Sequence, residues 1–222
     1  MGRLDRTWQL FRESYAVLGN DPEILLFPLM SGISVILLGA SFFVPSTPEQ
    51  FAGAAGVIVP GVGNFAATAA LEGTWRDEIY RAVTGGTPLL GICLGMQWLF
   101  EGSDEAPLVQ GLGVLQGRIT RLQGDPARQL KVPHVGWNSL DFARPGRLLE
   151  GLHSGAQVYF THSFAAPITD VTAAATTHRD TFAAAVERDN IFGVQFHPEK
   201  SSDAGLQILR NFLKAAAQAW ER

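Results

Sequence analysis

A chain of 222 residues with one cysteine cannot form an intramolecular disulfide, and the Cys/His clusters that hold structural zinc are missing as well. No metal and no cofactor is therefore expected, and the unpaired thiol fits a reducing compartment, with the cytoplasm as the expected location. Basic residues are also scarce: 17 Lys and Arg stand against 21 Asp and Glu, a formal charge of −4. With no Lys/Arg-rich run to neutralise a row of phosphates, nucleic acid is excluded as a partner. Internal repeats and low-complexity tracts are absent. What remains is a length suited to one sizeable α/β domain.

Charge is missing altogether over residues 24–44, ILLFPLMSGISVILLGASFFV, which run for 21 positions without an ionisable side chain. That is about the length of a helix that crosses a bilayer. Arg3, Arg6 and Arg12 precede the run and no Lys or Arg follows until Arg76, so an inserted helix would keep its amino end in the cytoplasm. The alternative is that Pro28, Gly32 and Gly39 break the run and that ISVILL (33–38) is a buried strand, or that the segment is a disordered appendage. Association with a membrane is expected only through this segment. Residues 1–45 thus form an atypical apolar segment, and residues 46–222, after the Pro45-Ser46-Thr47-Pro48 boundary, form the second domain.

From residue 46 charges, glycines and short apolar runs alternate. The pattern predicts strand 56–60, helix 66–83, strand 88–92 and a helix from Gly95 to about Glu101. It then predicts β-rich stretches at 113–121, 130–141 and 156–163, and strands near 171–177, 182–187 and 191–196. A last helix is capped by Ser201, Ser202 or Asp203, with Leu206, Leu209 and Leu213 on one stripe. Strand-helix-strand units followed by hairpins imply an α/β fold, a mixed sheet flanked by helices.

The cysteine lies in Gly91-Ile92-Cys93-Leu94-Gly95, which has the spacing of a nucleophile elbow, where a strand turns sharply into a helix. Glycines on either side let the helix approach the strand, and a helix N-terminus beside the sulfur favours thiolate over thiol. The competing reading is a small buried core residue, since free cysteine is among the most buried types. A base is offered by His197 in GVQFHPEKS (193–201), held extended by Pro198 directly after an apolar strand. If that geometry continues, Glu199 points to the same side and orients the imidazole. Taken alone, His-Pro-Glu also suits a solvated turn. Pro60-Gly61-Val62-Gly63 follows another buried-looking strand, and its backbone N–H groups, with that of Leu94, suit an oxyanion hole.

PGVGNF (60–65), GICLGMQ (91–97), KVPHVGWN (131–138), YFTHSF (159–164) and GVQFHPEKS, in this order, resemble the class I (triad) glutamine amidotransferases. Met96 and KVPHVGWN bring the likeness closest to the glutaminase subunits of imidazole glycerol phosphate synthase, over roughly residues 46–215. The resemblance implies that Cys93 attacks the side-chain amide of glutamine, His197 protonates the departing ammonia and Glu199 orients His197. It further implies an oxyanion hole at Gly61, Val62 and Leu94, and substrate contacts from Gly63, Gln97, Thr161, His162 and Ser163. The implied partner is a (β/α)8-barrel cyclase in a heterodimer. Ammonia is channelled to it, and it makes imidazole glycerol phosphate and AICAR in histidine biosynthesis. Trp137, Asn138 and Lys200 resemble surface that meets this partner, with a core aromatic as the competing reading of Trp137.

The family opens with a short strand and a DYGxGN turn, and this chain has no such turn. Its sheet would lack the usual first strand unless ISVILL replaces it, and a fusion or mispredicted start near residue 45 is one account of the difference. Two other functions stay open: an amidotransferase of another biosynthetic pathway, and an inactive membrane-tethered chimera or pseudoenzyme.

Overall fold

The structure, a computed structural model, describes residues 45–51, 53–128 and 130–221. The apolar run 24–44, with the strand expected at 33–38, lies outside the described residues. Among the described residues no helix is long and apolar enough to cross a membrane.

In chain order the strands are β1 (Val57–Gly61), β2 (Leu89–Cys93), β3 (Gly102–Ser103), β4 (Arg118–Arg121), β5 (His134–Ser139) and β6 (Asp141–Phe142). They continue with β7 (Gln157–His162), β8 (Phe164–Ala165), β9 (Thr172–His178), β10 (Asp180–Arg188) and β11 (Ile191–Val194). Among the described residues three α-helices accompany them: α1 (Thr74–Thr84), α2 (Leu94–Trp98) and α3 (Ser202–Trp220). The main sheet has the order β1-β2-β11-β10-β9-β6, in which β1, β2 and β11 are parallel and the rest antiparallel. The mixed sheet flanked by helices expected from the sequence is therefore present.

Adjacent residues of a strand point to opposite faces, which explains the continuous apolar runs in the parallel strands. Leu90 and Phe192 pack into a core with Ile208 and Phe212 of α3, while Leu89 and Ile191 pack into a second core with Ile79 and Val83 of α1. Two smaller assemblies stand beside the sheet: the antiparallel pair β5–β7, and β3-β4-β8.

Several expected elements differ. The single helix predicted over 66–83 is a 3-10 helix, Phe65–Leu71, followed by α1. Gly73, at φ 68°, breaks it in a conformation that no side-chain-bearing residue adopts comfortably. The helix after Cys93 ends at Trp98, and the β-rich stretch at 113–121 contracts to β4. The run 130–141 holds two strands with different partners, β5 on β7 and β6 on β9. In α3 the buried face is Ile208, Phe212, Ala215 and Ala216, whereas Leu206, Leu209 and Leu213 are only half-buried. A Cβ on Gly205 would sit 1.9 Å from the Pro198 carbonyl oxygen, so the first turn is seated directly against that backbone and its rotation is set there.

Candidate active site

Parallel strands β1, β2 and β11 end together, with Gly61 paired to Cys93 and Ile92 paired to Val194. The residues just beyond these ends therefore converge: Val62 and Gly63 after β1, Leu94 after Cys93, and Gln195 to His197 after β11. Such carboxyl ends are where open α/β sheets place their ligands. A cavity of about 280 Å³ opens there.

Cys93 closes β2 and caps α2 with φ 53° and ψ −108°, a conformation foreign to L-residues and a marker of stored local strain. The elbow expected from the spacing of its glycines is thus formed, and Cys93 is 6% exposed on the cavity wall. The two glycines do different work. A Cβ on Gly91 would meet the Gly95 carbonyl oxygen at 2.6 Å, so Gly91 admits the helix, while one on Gly95 would meet Val59 O of β1 at 1.8 Å. Gly95 therefore seats the helix on the neighbouring strand, not on the strand that carries the cysteine.

His197 lines the same cavity and is 3% exposed. Its Nδ1 lies 2.7 Å from Glu199 Oε1. The extended geometry expected beyond Pro198 is absent: Pro198–Lys200 is a 3-10 turn, and that turn, not strand alternation, carries the carboxylate back to the ring. Burial alone would depress the pKa of His197, but the Cys93 sulfur and the Glu199 carboxylate outweigh it and raise the value to about 9. Burial pushes the Glu199 pKa up, and the contact with His197 more than offsets this, so that it falls below the usual carboxylate value. Among the described residues, none is a hydrogen-bond partner for the buried His197 Nε2. Ser201, expected as a helix cap, makes no side-chain capping bond. Its hydroxyl donates to His197 O at 2.6 Å and accepts from Tyr159 N at 3.0 Å, tying the turn to β7.

Val62, Gly63, Leu94, Gln97, Thr161, His162 and Ser163, all singled out from sequence, also line the cavity. Gly61 is the exception. It does not reach the cavity; a Cβ there would sit 2.9 Å from the Leu94 Cβ, so its bareness lets the elbow close against β1. Leu94 opens α2, and a first-turn N–H has no acceptor within its own helix.

One backbone oxygen orders the polar wall. Phe164 O accepts from Gln97 Nε2 at 2.8 Å and from His162 Nδ1 at 2.9 Å. A carbonyl oxygen only accepts, so His162 carries its proton on Nδ1 and must accept on Nε2 from His134 Nδ1, 3.1 Å away. His134 Nε2 in turn accepts from Asn138 Nδ2 at 3.3 Å. Both rings are held neutral, burial being the largest cause: the His134 pKa falls to about 3 and that of His162 to about 4. At these values neither ring is basic enough to act as a general base near neutral pH.

Three contributors escaped the sequence reading. Glu105 lines the cavity and accepts from Phe65 N at 2.7 Å. Gln195 is fully buried and places Nε2 3.6 Å from the Cys93 sulfur. The third is the Phe164 carbonyl. Gln195 had one visible signal, a lone amide in the apolar run IFGVQF; the other two had none.

Trp137 is 54% exposed, against the core-aromatic alternative. It pairs with Tyr159 across β5–β7, ring centroids 6.0 Å apart, and Lys200 Nζ lies 5.8 Å from the Tyr159 ring. Asn138, half-buried, also donates to Thr177 O at 3.1 Å, so its amide serves the chain's own structure. Among the described residues no group of three or more His, Cys, Asp or Glu is arranged to hold a metal ion.

Comparison with known proteins agrees with this geometry. The profile of the family described as Glutamine amidotransferase class-I matches residues 40–216. The chain is 45% identical over 175 residues to imidazole glycerol phosphate synthase subunit HisH of Thermococcus kodakarensis, covering 76% of this chain and 87% of that protein. It is 45% identical over 182 residues to the HisH subunit of Syntrophotalea carbinolica, covering 79% and 88%. Among solved structures, one described as a glutamine amidotransferase superposes with a TM-score of 0.65 at 22% identity, covering 85% of this chain and 93% of that one. PurLQS from Thermotoga maritima gives 0.52 at 21% identity, with 71% and 78% covered, and so shares the fold. From the elbow at Cys93, the cavity it shares with His197 and these matches, the chain belongs to the class I glutamine amidotransferase family and is homologous to the HisH subunits of imidazole glycerol phosphate synthase.

Proposed function

We propose that residues 46–222 form a glutaminase domain in which Cys93, His197 and Glu199 act as a catalytic triad, and that its ammonia serves histidine biosynthesis. The observation that carries this reading is the strained Cys93, set in a cavity shared with a histidine whose other nitrogen is held by Glu199. The Cys93 sulfur attacks the δ-carbon of glutamine, forming a C–S bond while the carbonyl electron pair moves to oxygen. Backbone N–H groups of the Val62–Gly63 turn and of Leu94 receive that oxyanion. When it collapses, the C–N bond breaks and protonated His197 gives its proton to the leaving nitrogen, releasing ammonia. Water then attacks the thioester and surrenders a proton to His197; the C–S bond breaks and glutamate leaves.

Binding follows from charge and shape. Glu105 and the Oε1 of Gln97, whose Nε2 is already committed, suit the substrate's α-ammonium. The backbone around Thr161, His162 and Ser163, which also line the cavity, suits its α-carboxylate. The exposed face carrying Val135, Trp137 and Lys200, with half-buried Asn138 at its back, adjoins the cavity through His197 N, which bonds Tyr159 O at 2.9 Å. This face is proposed to meet the (β/α)8-barrel cyclase, so that ammonia passes between the two without entering water. A free thiol nucleophile supports the cytoplasm as the site of action.

The test is glutamate release with and without the cyclase subunit, comparing the native chain with Cys93→Ala and His197→Asn. Loss of release in both variants, with folding retained, is expected. Turnover that survives Cys93→Ala would refute the reading.

A further inference from the structure

Gln195 is the first residue after β11 and has no exposed surface. A buried primary amide must satisfy two donors and a carbonyl, so its orientation is dictated by its neighbours. Here the orientation can be derived from one atom. Phe164 O cannot donate, so the Gln97 atom 2.8 Å away is the NH2 nitrogen. The same nitrogen lies 3.0 Å from the Gln195 side chain, and its second hydrogen requires an acceptor there, the carbonyl Oε1. The Gln195 NH2 is thereby turned the other way, where it donates to the Cys93 sulfur at 3.6 Å. A rigid backbone carbonyl thus aims an N–H at the sulfur through two locked amides.

We propose that Gln195 is a further catalytic residue, a fixed hydrogen-bond donor that stabilises the anionic form of the Cys93 sulfur in the resting site and when the thioester breaks. The inference rests on Cys93 being the nucleophile. A sulfur anion on the wall of this cavity is also influenced by His197 and Glu199 on the turn after β11, by His162 on β7 and by Glu105. Of these, His197 must exchange its proton during turnover and Glu105 carries negative charge. Gln195 has a role none of them fills, because it is a neutral donor that never titrates and costs no reorganisation when charge appears. A purely packing role predicts that only shape matters at this position.

Iodoacetamide alkylation of Cys93 in the full-length chain tests this without substrate or partner, measured as a rate against pH. Gln195→Glu keeps the shape and replaces the donor by an acceptor; Gln195→Met keeps the volume and removes the polar group. Both are expected to alkylate about tenfold more slowly at pH 7, with the profile displaced about one unit to higher pH and Glu the more affected. Folded variants with the native profile would overturn the proposal. Should neither variant fold, Gln97→Leu carries the test, since it frees the Gln195 amide without touching the sulfur; a native profile there overturns it equally. A native Cys93 that reacts no faster than a free thiol would instead refute its reading as nucleophile, and the role of Gln195 with it.

Discussion

His197 Nδ1 and Glu199 Oε1 stand 2.7 Å apart across one 3-10 turn, and the buried Ser201 hydroxyl fixes the start of that turn by donating to His197 O. The ring is therefore held at Nδ1 by Glu199 and its backbone by Ser201, both within four positions of it. Its pKa near 9 depends on the carboxylate as well as on the sulfur, since burial acts against it.

Replacing Glu199 with glutamine removes the negative charge while keeping the shape. The His197 pKa is expected to fall and the ring to lose its enforced tautomer, lowering kcat for glutamine hydrolysis about 100-fold or more. KM should change little, because Glu199 does not line the cavity. Steady-state glutamate release with the cyclase present measures both constants. A fall confined to KM would place Glu199 in binding instead.

At Cys93 the backbone angles, φ 53° and ψ −108°, suit only glycine without strain. Glycine is ordinarily less stabilising than alanine, yet here Cys93→Gly should be more stable than Cys93→Ala by about 1 kcal/mol, with both inactive. Urea unfolding of the two variants decides the sign. An alanine variant as stable as the glycine variant would mean that the elbow holds no strain.

Stability should pass through a maximum near neutral pH. His134 and His162 have folded pKa values depressed to about 3 and about 4, so their contribution is complete above the unfolded value near 6.5 and is lost as pH falls towards those values. His197 has a raised value of about 9, so its contribution is complete below 6.5 and is lost as pH rises through 9. The expected loss between pH 7 and 4.5 is on the order of 4 kcal/mol, read from urea midpoints across the pH range. A flat acid limb would contradict the neutral Asn138–His134–His162 chain.

Motifs tied to local backbone geometry were legible along the chain. G-x-C-x-G announces an elbow because only bare glycines admit the helix so close to Val59 and to the strand end, and His197 is marked by the proline that follows it. The leucine stripe of α3 is partly buried, but its most buried face is rotated towards Ile208 and Phe212 by the Gly205–Pro198 contact, which hydrophobic periodicity does not encode. Likewise Glu199 was assigned the right partner for a reason that failed: a tight turn, not strand alternation, brings it back to the ring.

By itself, then, the amino-acid sequence marked Cys93 and His197 as the candidate nucleophile and base and pointed to most of the cavity wall, because the turns that follow β1, β2 and β11 leave a backbone signature. Only the tertiary structure decided how they act together. The side-by-side ends of β1, β2 and β11, the Phe164 carbonyl that orients Gln97 and His162, and the amide of Gln195 against the sulfur all join residues from separate segments. Hydrogen bonds across such separations depend on where whole strands come to rest, and no local pattern of residues carries that information.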